Sequence, residues 1–581
     1  MTMPCLRYFH EYIWPGLGLF GESYLLFSIG TIRPLWDVLY PQCFSGNVCS
    51  ANLVNSLTYS VVVGIILGMV VIGTMAGSIG RRKGSITTAA LMMIGSCGMT
   101  FGALIFRNDP EKMLKNLVTF LFVFGMGIGG EYPLSASSAS ERAMSEMKRK
   151  LEEVQMRKQQ LRVERNPNVV VSTEEEERTN TLFDPTLEAR GKRVILIFSM
   201  QGMGIFGNTL ILTLLLLVTG QWGKNIEANY YDQGDDDGDD GNDVVYYRMD
   251  MIAGDYNHTT LLIIWQIIYI IGTITLIYVF ISRYRYLQES EVWAEDRKKR
   301  RNNDCAVEYQ PPRITSNEIE NTEAYNSSEH RQNNKREMSP VTSDTQLLLK
   351  HYGHRLFGTS VTWFLWDVAF YGNKLFQSTF LYALTGVETT LFQISGAATL
   401  NALIAVMGYI AAAMLVDKPE IGRLKLQQYG FLITGCLFCL CGAFRQSLST
   451  PWLIIMYFGS SFFGQCGPNC TTFLLPAEIF PTEMRTVCHG VSASAGKCGA
   501  LLAAVMFNYL SESDMFLISG YCSFAAFIIT YFTIPESSTL DLHELDRKWR
   551  MTVHGKLEDY HGAANELRHL SVLERWSMRS P

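Results

Sequence analysis

The sequence predicts an all-α membrane protein with twelve membrane-spanning helices in two pseudo-symmetric bundles of six. Three observations support this: long uncharged apolar runs, charge confined to a few loops, and a motif that recurs in both halves. The chain has 581 residues, of which 48% are hydrophobic and only 18% are charged. A soluble core of that size does not need so many apolar runs of spanning length.

The apolar runs are the primary signal. About 20 apolar residues cross a bilayer as a helix, and runs of that length recur along the whole chain. The predicted spans are residues 12–33, 53–77, 86–106, 116–139, 191–219, 259–282, 355–376, 393–416, 426–446, 450–474, 486–509 and 514–534.

The charged loops predict the orientation. Basic clusters occupy 81–83, 148–150 and 298–301, whereas the loop 220–258 carries DQGDDDGDDGND. By the positive-inside rule both termini are cytoplasmic, and the plasma membrane is the expected location. The basic runs are better explained by this rule than by nucleic-acid binding, so we expect no nucleic acid as a partner. The expected partner is the lipid bilayer. The first run contains Glu22 and lacks a cleavage site, so we expect no cleavable signal peptide.

Polar segments divide the chain. We expect an N-terminal bundle (1–282), a disordered cytoplasmic linker (283–354), a C-terminal bundle (355–534) and a cytoplasmic tail (535–581). The first bundle has two polar additions, and these are a charged cytoplasmic insertion (141–190) and the acidic outer loop (220–258), interpreted as a hydrated spacer. Cys43 and Cys49 share the first outer loop, where a disulfide and two free thiols are both possible.

The two halves repeat a motif. GTMAGSIGRRKG (73–84) follows the second span and VDKPEIGRLK (416–425) follows the eighth, so a Gly-Arg pair opens the same cytoplasmic hairpin in each half. Two parallel six-helix repeats around a central cleft are the architecture of major facilitator transporters.

Four ionisable residues stand out among those inside the predicted spans: Glu22, Glu131, Asp367 and Lys497. Charged groups in a bilayer are costly and usually face a cavity, a partner or an ion path. At 1.5 Å of rise per residue, three of them lie near the middle of their helices, and Glu131 lies slightly toward the cytoplasm. This shared depth indicates one central site.

The seventh span contains the clearest polar stripe. Trp363, Asp367 and Tyr371 follow one another at intervals of four, so an indole, a carboxyl group and a phenol lie on one helix face. Such groups in an apolar wall can bind a ligand. The alternative is that Asp367 only pairs with Lys497 and locks two helices together.

Three further polar residues lie in unusual helical contexts. Tyr132 precedes a proline within GMGIGGEYPLSA, and Asn469 follows Gly-Pro within CGPNC. A proline leaves a backbone carbonyl of the helix without its hydrogen bond, which is tolerated in a membrane where a cavity supplies another partner. Gln201 lies within FSMQGMG. It either faces the cleft or makes an ordinary hydrogen bond between helices.

These motifs resemble those of one family. GGEYPLSASSASERA is similar to the GGDYPLSA signature of the phosphate:proton symporters of the major facilitator superfamily. WFLWDVAFYGNKLFQ resembles the seventh helix of that family, and 462–500 resembles its tenth-to-eleventh helix region. The resemblance covers all twelve spans and fails only in the loops.

The resemblance implies roles for particular residues. It implies phosphate contacts for Tyr132, Gln201, Trp363, Asp367, Tyr371 and Asn469. Roles in proton coupling are implied for Glu22, Glu131, Asp367 and Lys497. A cytoplasmic charge network that governs gating is implied for Arg81, Glu141, Arg190, Glu478 and Arg485.

The expected function is proton-coupled import of inorganic phosphate, with no enzymatic activity and no cofactor beyond the proton. The chain has no GxxxxGK[ST] motif to supply an ATP drive, and no metal-ligand cluster. Two alternatives remain: a symporter of organophosphates such as glycerophosphodiesters, or of another organic anion, and a nutrient-sensing receptor that uses the transporter fold.

Overall fold

The computed structural model describes residues 14–44, 48–107, 109–132, 134, 156, 190–221, 227–229, 250–252, 256–289, 341–385 and 390–579. Glu141, nearly all of the 141–190 insertion and most of the acidic loop lie outside them. Nine helices of the described part are long and apolar enough to cross a membrane. Between 39% and 61% of each is buried, so every span also presents an apolar outer face, as contact with lipid requires.

The first half consists of helices α1 (Trp14–Leu26), α2 (Ile29–Leu39), α3 (Pro41–Phe44), α4 (Ala51–Ile79), α5 (Arg81–Ile105), α6 (Pro110–Tyr132), α7 (Arg190–Val218) and α8 (His258–Tyr286). A short antiparallel pair, β1 (Glu227–Asn229) and β2 (Asp250–Ile252), lies in the acidic loop, with Ala228 opposite Met251. Cys43 and Cys49 are joined by a disulfide. Asn257 is exposed and caps α8, since its side chain accepts a hydrogen bond from the Thr260 backbone N–H.

The second half consists of α9 (Val341–Leu375), α10 (Gln377–Thr385), α11 (Leu391–Leu415), α12 (Gly422–Phe444), α13 (Thr450–Gly464), α14 (Cys470–Leu474), α15 (Thr482–Met506) and α16 (Glu512–Thr533). A π-helical segment, Gln465–Asn469, joins α13 to α14. The Pro468 ring removes a backbone donor there, and π segments often occur at functional sites.

Three predicted spans are not among the nine helices, although each has a helical counterpart. The first corresponds to α1 and α2, which are separated at Phe27 and Ser28. The seventh is α9, which carries several charged residues, and the tenth is divided by the π segment. The structure is therefore consistent with twelve crossings.

The linker boundary at 354 was wrong, because α9 begins at Val341. Residues 341–354 are polar, but Leu348 and Tyr352 are buried against the tail, and the Tyr352 ring lies 6.0 Å from the ring of Trp549. The tail contributes helices α17 (Leu542–Val553) and α18 (Val572–Arg579). Its Glu574 forms an ion pair of 2.7 Å with Arg355, which fastens it to α9.

The glycine of the repeated Gly-Arg motif has a positive φ in both halves. Gly80 has φ of 97° and Gly422 has φ of 65°, and each lies at the start of the third helix of its half. Positive φ strongly favours glycine. The motif is therefore a matched pair of turns that begin α5 and α12.

Candidate functional site

A small cavity lies at the centre of the molecule, between the two halves. It is lined by Tyr132, Phe198, Gln201, Trp363, Asp367, Phe370, Tyr371, Asn469 and Lys497. All six residues expected to contact the substrate are in this lining, together with Lys497. They come from both halves of the chain, so the predicted stripe of α9 does face a central cleft.

An ion pair occupies this cavity. Lys497 Nζ lies 2.9 Å from Asp367 Oδ2 and 3.0 Å from the Tyr371 hydroxyl oxygen, and both charged side chains are at most 3% exposed. The Trp363 side chain lines the cavity together with this pair. The ion pair required by the helix-locking alternative is thus present, and both of its residues line the cavity.

Aromatic rings surround the lysine. The ammonium nitrogen lies 4.4 Å from the centre of the Tyr371 ring and 5.1 Å from the centre of the Tyr132 ring. The centre of the Phe27 ring, at the break between α1 and α2, lies 5.5 Å from the centre of the Tyr371 ring. The first half therefore closes over the site through Phe27 and Tyr132.

The amide side chains form a second polar group in the lining. Asn469 donates to Gln201 Oε1 over 3.2 Å and to the Tyr409 hydroxyl over 2.7 Å, and its own Oδ1 accepts from the Trp366 indole N–H. Tyr409 in turn donates to Gln201 Oε1. Gln201 therefore makes the interhelical bond of the simpler interpretation while lining the cavity.

Glu22 and Glu131 have different environments. The Glu131 carboxylate is clamped by the Arg283 guanidinium through two bonds of 2.6 Å, and Thr88 donates to it over 2.9 Å. Glu22 is 1% exposed, and its Oε2 has no hydrogen-bond partner among the described residues. Glu22 is therefore a buried acid, whereas Glu131 is held by an ion pair with Arg283.

The cavity is enclosed and about large enough for one water molecule. At one end of the helices Arg190, on α7, contacts Glu478 over 2.8 Å and thereby joins the halves. At the other end the Thr213 hydroxyl lies 2.7 Å from the Ser395 hydroxyl, and Thr58 donates to the Ala504 carbonyl over 3.0 Å. The site is closed on both sides.

The predicted cytoplasmic network is only partly the one observed. Glu478 is bound by Arg190 and, over 3.0 Å, by Arg423, whose guanidinium also lies 2.7 Å from Asp417. Asp417 accepts hydrogen bonds from the backbone N–H groups of 191 and 192, at the start of α7. Arg485 instead donates to the Phe480 carbonyl oxygen. The Arg81 side chain and Glu141 lie outside the described part of the chain.

Some residues of the site were not predicted. Arg283 was assigned to the linker, because the segment 283–354 is too hydrophilic to bury a core. Tyr409 gives no signal within the apolar run 393–416. Arg423 was visible as half of the Gly-Arg motif, but its carboxylate partners were not.

Comparisons with known proteins agree with this architecture. The profile of the family described as sugar (and other) transporter matches residues 15–155 and 247–549. The structure is similar to that of the proton:xylose symporter XylE bound to 6-bromo-6-deoxy-D-glucose, with a TM-score of 0.57 and 16% identity, over 93% of this chain and 99% of that chain. It is also similar to the inward-open xylose transporter XylE from E. coli, with a TM-score of 0.54 and 16% identity, over 92% and 98%. These likenesses show the major facilitator fold.

Similar sequences carry a narrower description. The chain is 28% identical to the low affinity inorganic phosphate transporter 1 of Petunia hybrida, over 94% of this chain and 93% of that protein. It is 27% identical to the inorganic phosphate transporter 1-11 of Oryza sativa subsp. japonica, over 91% and 86%. The profile match covers more than half of the chain, and the protein therefore belongs to the sugar (and other) transporter family, as a multi-pass membrane transporter of the major facilitator fold and not an enzyme.

Proposed function

We propose that this protein imports inorganic phosphate together with protons by alternating access. The observation that carries the proposal is the buried Asp367–Lys497 ion pair at the centre of the cavity. It is supported by the names of the similar sequences, which are inorganic phosphate transporters. The proton is the only coupling ion proposed.

Charge balance links proton binding to anion binding. With Asp367 ionised, its charge cancels that of Lys497, and a phosphate anion entering the cavity would be repelled by the carboxylate. Protonation leaves one net positive charge and releases Lys497 Nζ from its 2.9 Å contact. Since electrostatic interactions are strong in a cavity of low dielectric constant, the anion then binds well only after the proton has bound.

The lining supplies the donors that an oxyanion needs. The Lys497 ammonium, the Trp363 indole and the hydroxyl groups of Tyr132 and Tyr371 can all donate hydrogen bonds, and a protonated Asp367 would add one more. Phosphate leaves when Asp367 ionises again and recaptures Lys497. The empty state is therefore neutral and can reorient without an unpaired charge.

Alternating access requires barriers that open in turn. Breaking the Arg190–Glu478 contact would open one side, and separating Thr213 from Ser395 would open the other. Rocking of the two six-helix halves around a central site is the mechanism of this fold. The names of the similar sequences favour inorganic phosphate over glycerophosphodiesters as the substrate.

The orientation is part of the proposal. We place both termini in the cytoplasm and the protein in the plasma membrane. The disulfide between Cys43 and Cys49 supports an outer location for the first loop, since disulfides persist in oxidising compartments. Asn257 begins the acceptor sequence Asn-His-Thr, which can be glycosylated only on the outer side. A shift in electrophoretic mobility caused by N-glycosylation, absent in an Asn257→Gln variant, would support this orientation. Labelling of the 256–258 loop only in permeabilised cells would contradict it.

Uptake into proteoliposomes tests the function. We expect labelled phosphate to accumulate with an inward proton gradient and the accumulation to collapse when an uncoupler is added. Asp367→Asn mimics the protonated acid, so it should bind phosphate and catalyse exchange but lose accumulation. Full uphill uptake by Asp367→Asn would refute the coupling scheme. Uptake of glycerophosphodiesters in preference to phosphate would refute the substrate.

A further inference from the structure

Lys374 is a buried cation that the central site does not use. Its side chain is on α9, it is 2% exposed, and Nζ has no hydrogen-bond partner among the described residues. No carboxylate in the part of the chain that the structure describes forms an ion pair with it. A buried charge without a partner is disfavoured, because it has lost its hydration and gained no compensating contact.

Two neighbouring side chains share this condition. Asn373 and Gln377 are 4% and 1% exposed, and their amide nitrogens, Nδ2 and Nε2, have no acceptor among the described residues. The Asn373 orientation is fixed, because its Oδ1 accepts a hydrogen bond of 3.1 Å from the Tyr457 hydroxyl. The unpartnered atoms of this short stretch are therefore all donors.

Their spacing continues the polar stripe of the cavity. Lys374 follows Asp367 by seven residues, which returns it to the same helix face about 10 Å farther along α9. Gln377 is the first residue of α10, two residues beyond the end of α9, so it lies at the same end of α9 as Asn373 and Lys374. The first half covers this point closely, since a side chain at Gly30 would collide with the Lys374 carbonyl oxygen.

An ammonium group and two amide donors without acceptors are complementary to an oxyanion. We propose that Lys374, Asn373 and Gln377 form a second oxyanion site, one to two helical turns outward of the cavity, where the transported anion binds before it reaches Lys497. The proposal rests on the proposed function for the identity of the anion and for the outward direction. The α1–α2 segment must move away to admit the anion, and it returns when the anion has passed.

Uptake kinetics provide the first test. Lys374→Met keeps the length of the side chain but removes its charge, so we expect the KM for phosphate to rise about tenfold, as for the loss of one charge-assisted contact, with the maximal rate within about twofold. Lys374→Arg should keep KM near wild type. Lys115→Met, at a lysine that is 61% exposed, is the matched control. If Lys374 has only a structural role, Lys374→Met will change the melting temperature but leave KM unchanged. That result would overturn the proposal.

Thermal stability provides a test that does not depend on transport. In an Asp367→Asn, Lys497→Met background the central charge is gone, so the remaining stabilisation by phosphate should come from the second site. We expect phosphate to raise the melting temperature of this background and to lose that effect when Lys374→Met is added. If the wild type transports no phosphate, the proposed function fails, while stabilisation by phosphate or sulfate that requires Lys374 still supports the site. Absence of any stabilisation that requires Lys374 would overturn it.

Discussion

Glu289 and Glu536 occupy equivalent positions in the two halves and perform the same structural task. Each lies three residues after the last membrane helix of its half, which ends at Tyr286 or at Thr533. Glu289 accepts a hydrogen bond of 3.0 Å from the backbone N–H of Arg82, and Glu536 accepts one of 3.1 Å from that of Arg423. Glu289 thus holds the start of α5 against the end of α8, and Glu536 holds the start of α12 against the end of α16.

Removing these carboxylates should lower stability. Glu536 also accepts from the backbone N–H of Leu424 over 2.9 Å, and a negative charge favours a helix N-terminus. We expect Glu536→Ala to cost about 1–2 kcal/mol and Glu289→Ala, with one such bond, about 0.5–1 kcal/mol. Both should appear as lower melting temperatures in detergent. Glu558→Ala, at an exposed residue, is the control, and a Glu536→Ala variant as stable as this control would contradict the assigned role.

The central ion pair predicts strong coupling between two substitutions. Lys497→Met leaves the Asp367 carboxylate buried without its cation, and breaking a buried pair costs about 3–5 kcal/mol. Asp367→Asn together with Lys497→Met should recover most of that loss, because no buried charge remains. Melting temperatures of the four proteins form a double-mutant cycle. Additive effects would mean that the 2.9 Å contact contributes little to the closed structure.

Glu22 and Glu131 should respond differently to neutralisation. Glu22→Gln resembles the protonated acid, so we expect a folded protein whose phosphate uptake responds less to outside pH. Glu131→Gln strips Arg283 of its carboxylate and should lower stability by about 3–5 kcal/mol, which adding Arg283→Met should largely restore. Initial uptake rates between pH 5 and 7.5 and melting curves distinguish the two. If Glu131→Gln is stable and its uptake depends less on pH, then Glu131, and not Glu22, is the group through which outside pH acts.

Glu478 should keep the Arg190 side of the site closed independently of pH. Burial raises its pKa, but the Arg190 and Arg423 guanidinium groups and the Ser537 hydroxyl outweigh burial and lower the pKa from 4.5 to about 2. A group whose pKa is lowered by folding stabilises fully above its unfolded pKa, and this contribution is lost only as pH falls from about 4.5 toward 2. The Glu478 carboxylate therefore stays ionised throughout the range in which uptake is measured.

Spin labels at 192 and 418, one in each half, measure this closure. We expect the distance between them to remain constant from pH 5 to 7.5 in the wild type. Glu478→Gln should lengthen it at every pH and reduce uptake by about tenfold or more, as for a broken buried pair. Glu420→Gln, at an exposed neighbour, should do neither. Opening of the wild type between pH 7.5 and 5 would show that another group controls this side.

The sequence by itself determined the spans, the two halves and the cavity-facing stripe of α9. These properties are local: the bilayer thickness sets the length of an apolar run, and the helical period places residues four apart on one face. For that reason Trp363, Asp367 and Tyr371 could be assigned to a common surface. The same rules failed for residues 341–354, because their helix is stabilised by the distant tail and not by their own apolar content.

Only the tertiary structure decided which charges meet. Glu131 and Arg283 are 152 residues apart, and Arg190 and Glu478 are 288 apart. Helical periodicity fixes the direction in which a side chain points but not which helix lies opposite. Whether a buried acid is clamped, as Glu131 is, or keeps an oxygen without a partner, as Glu22 does, depends on that packing. The packing likewise decides that Lys374 forms no ion pair with a carboxylate of the described residues.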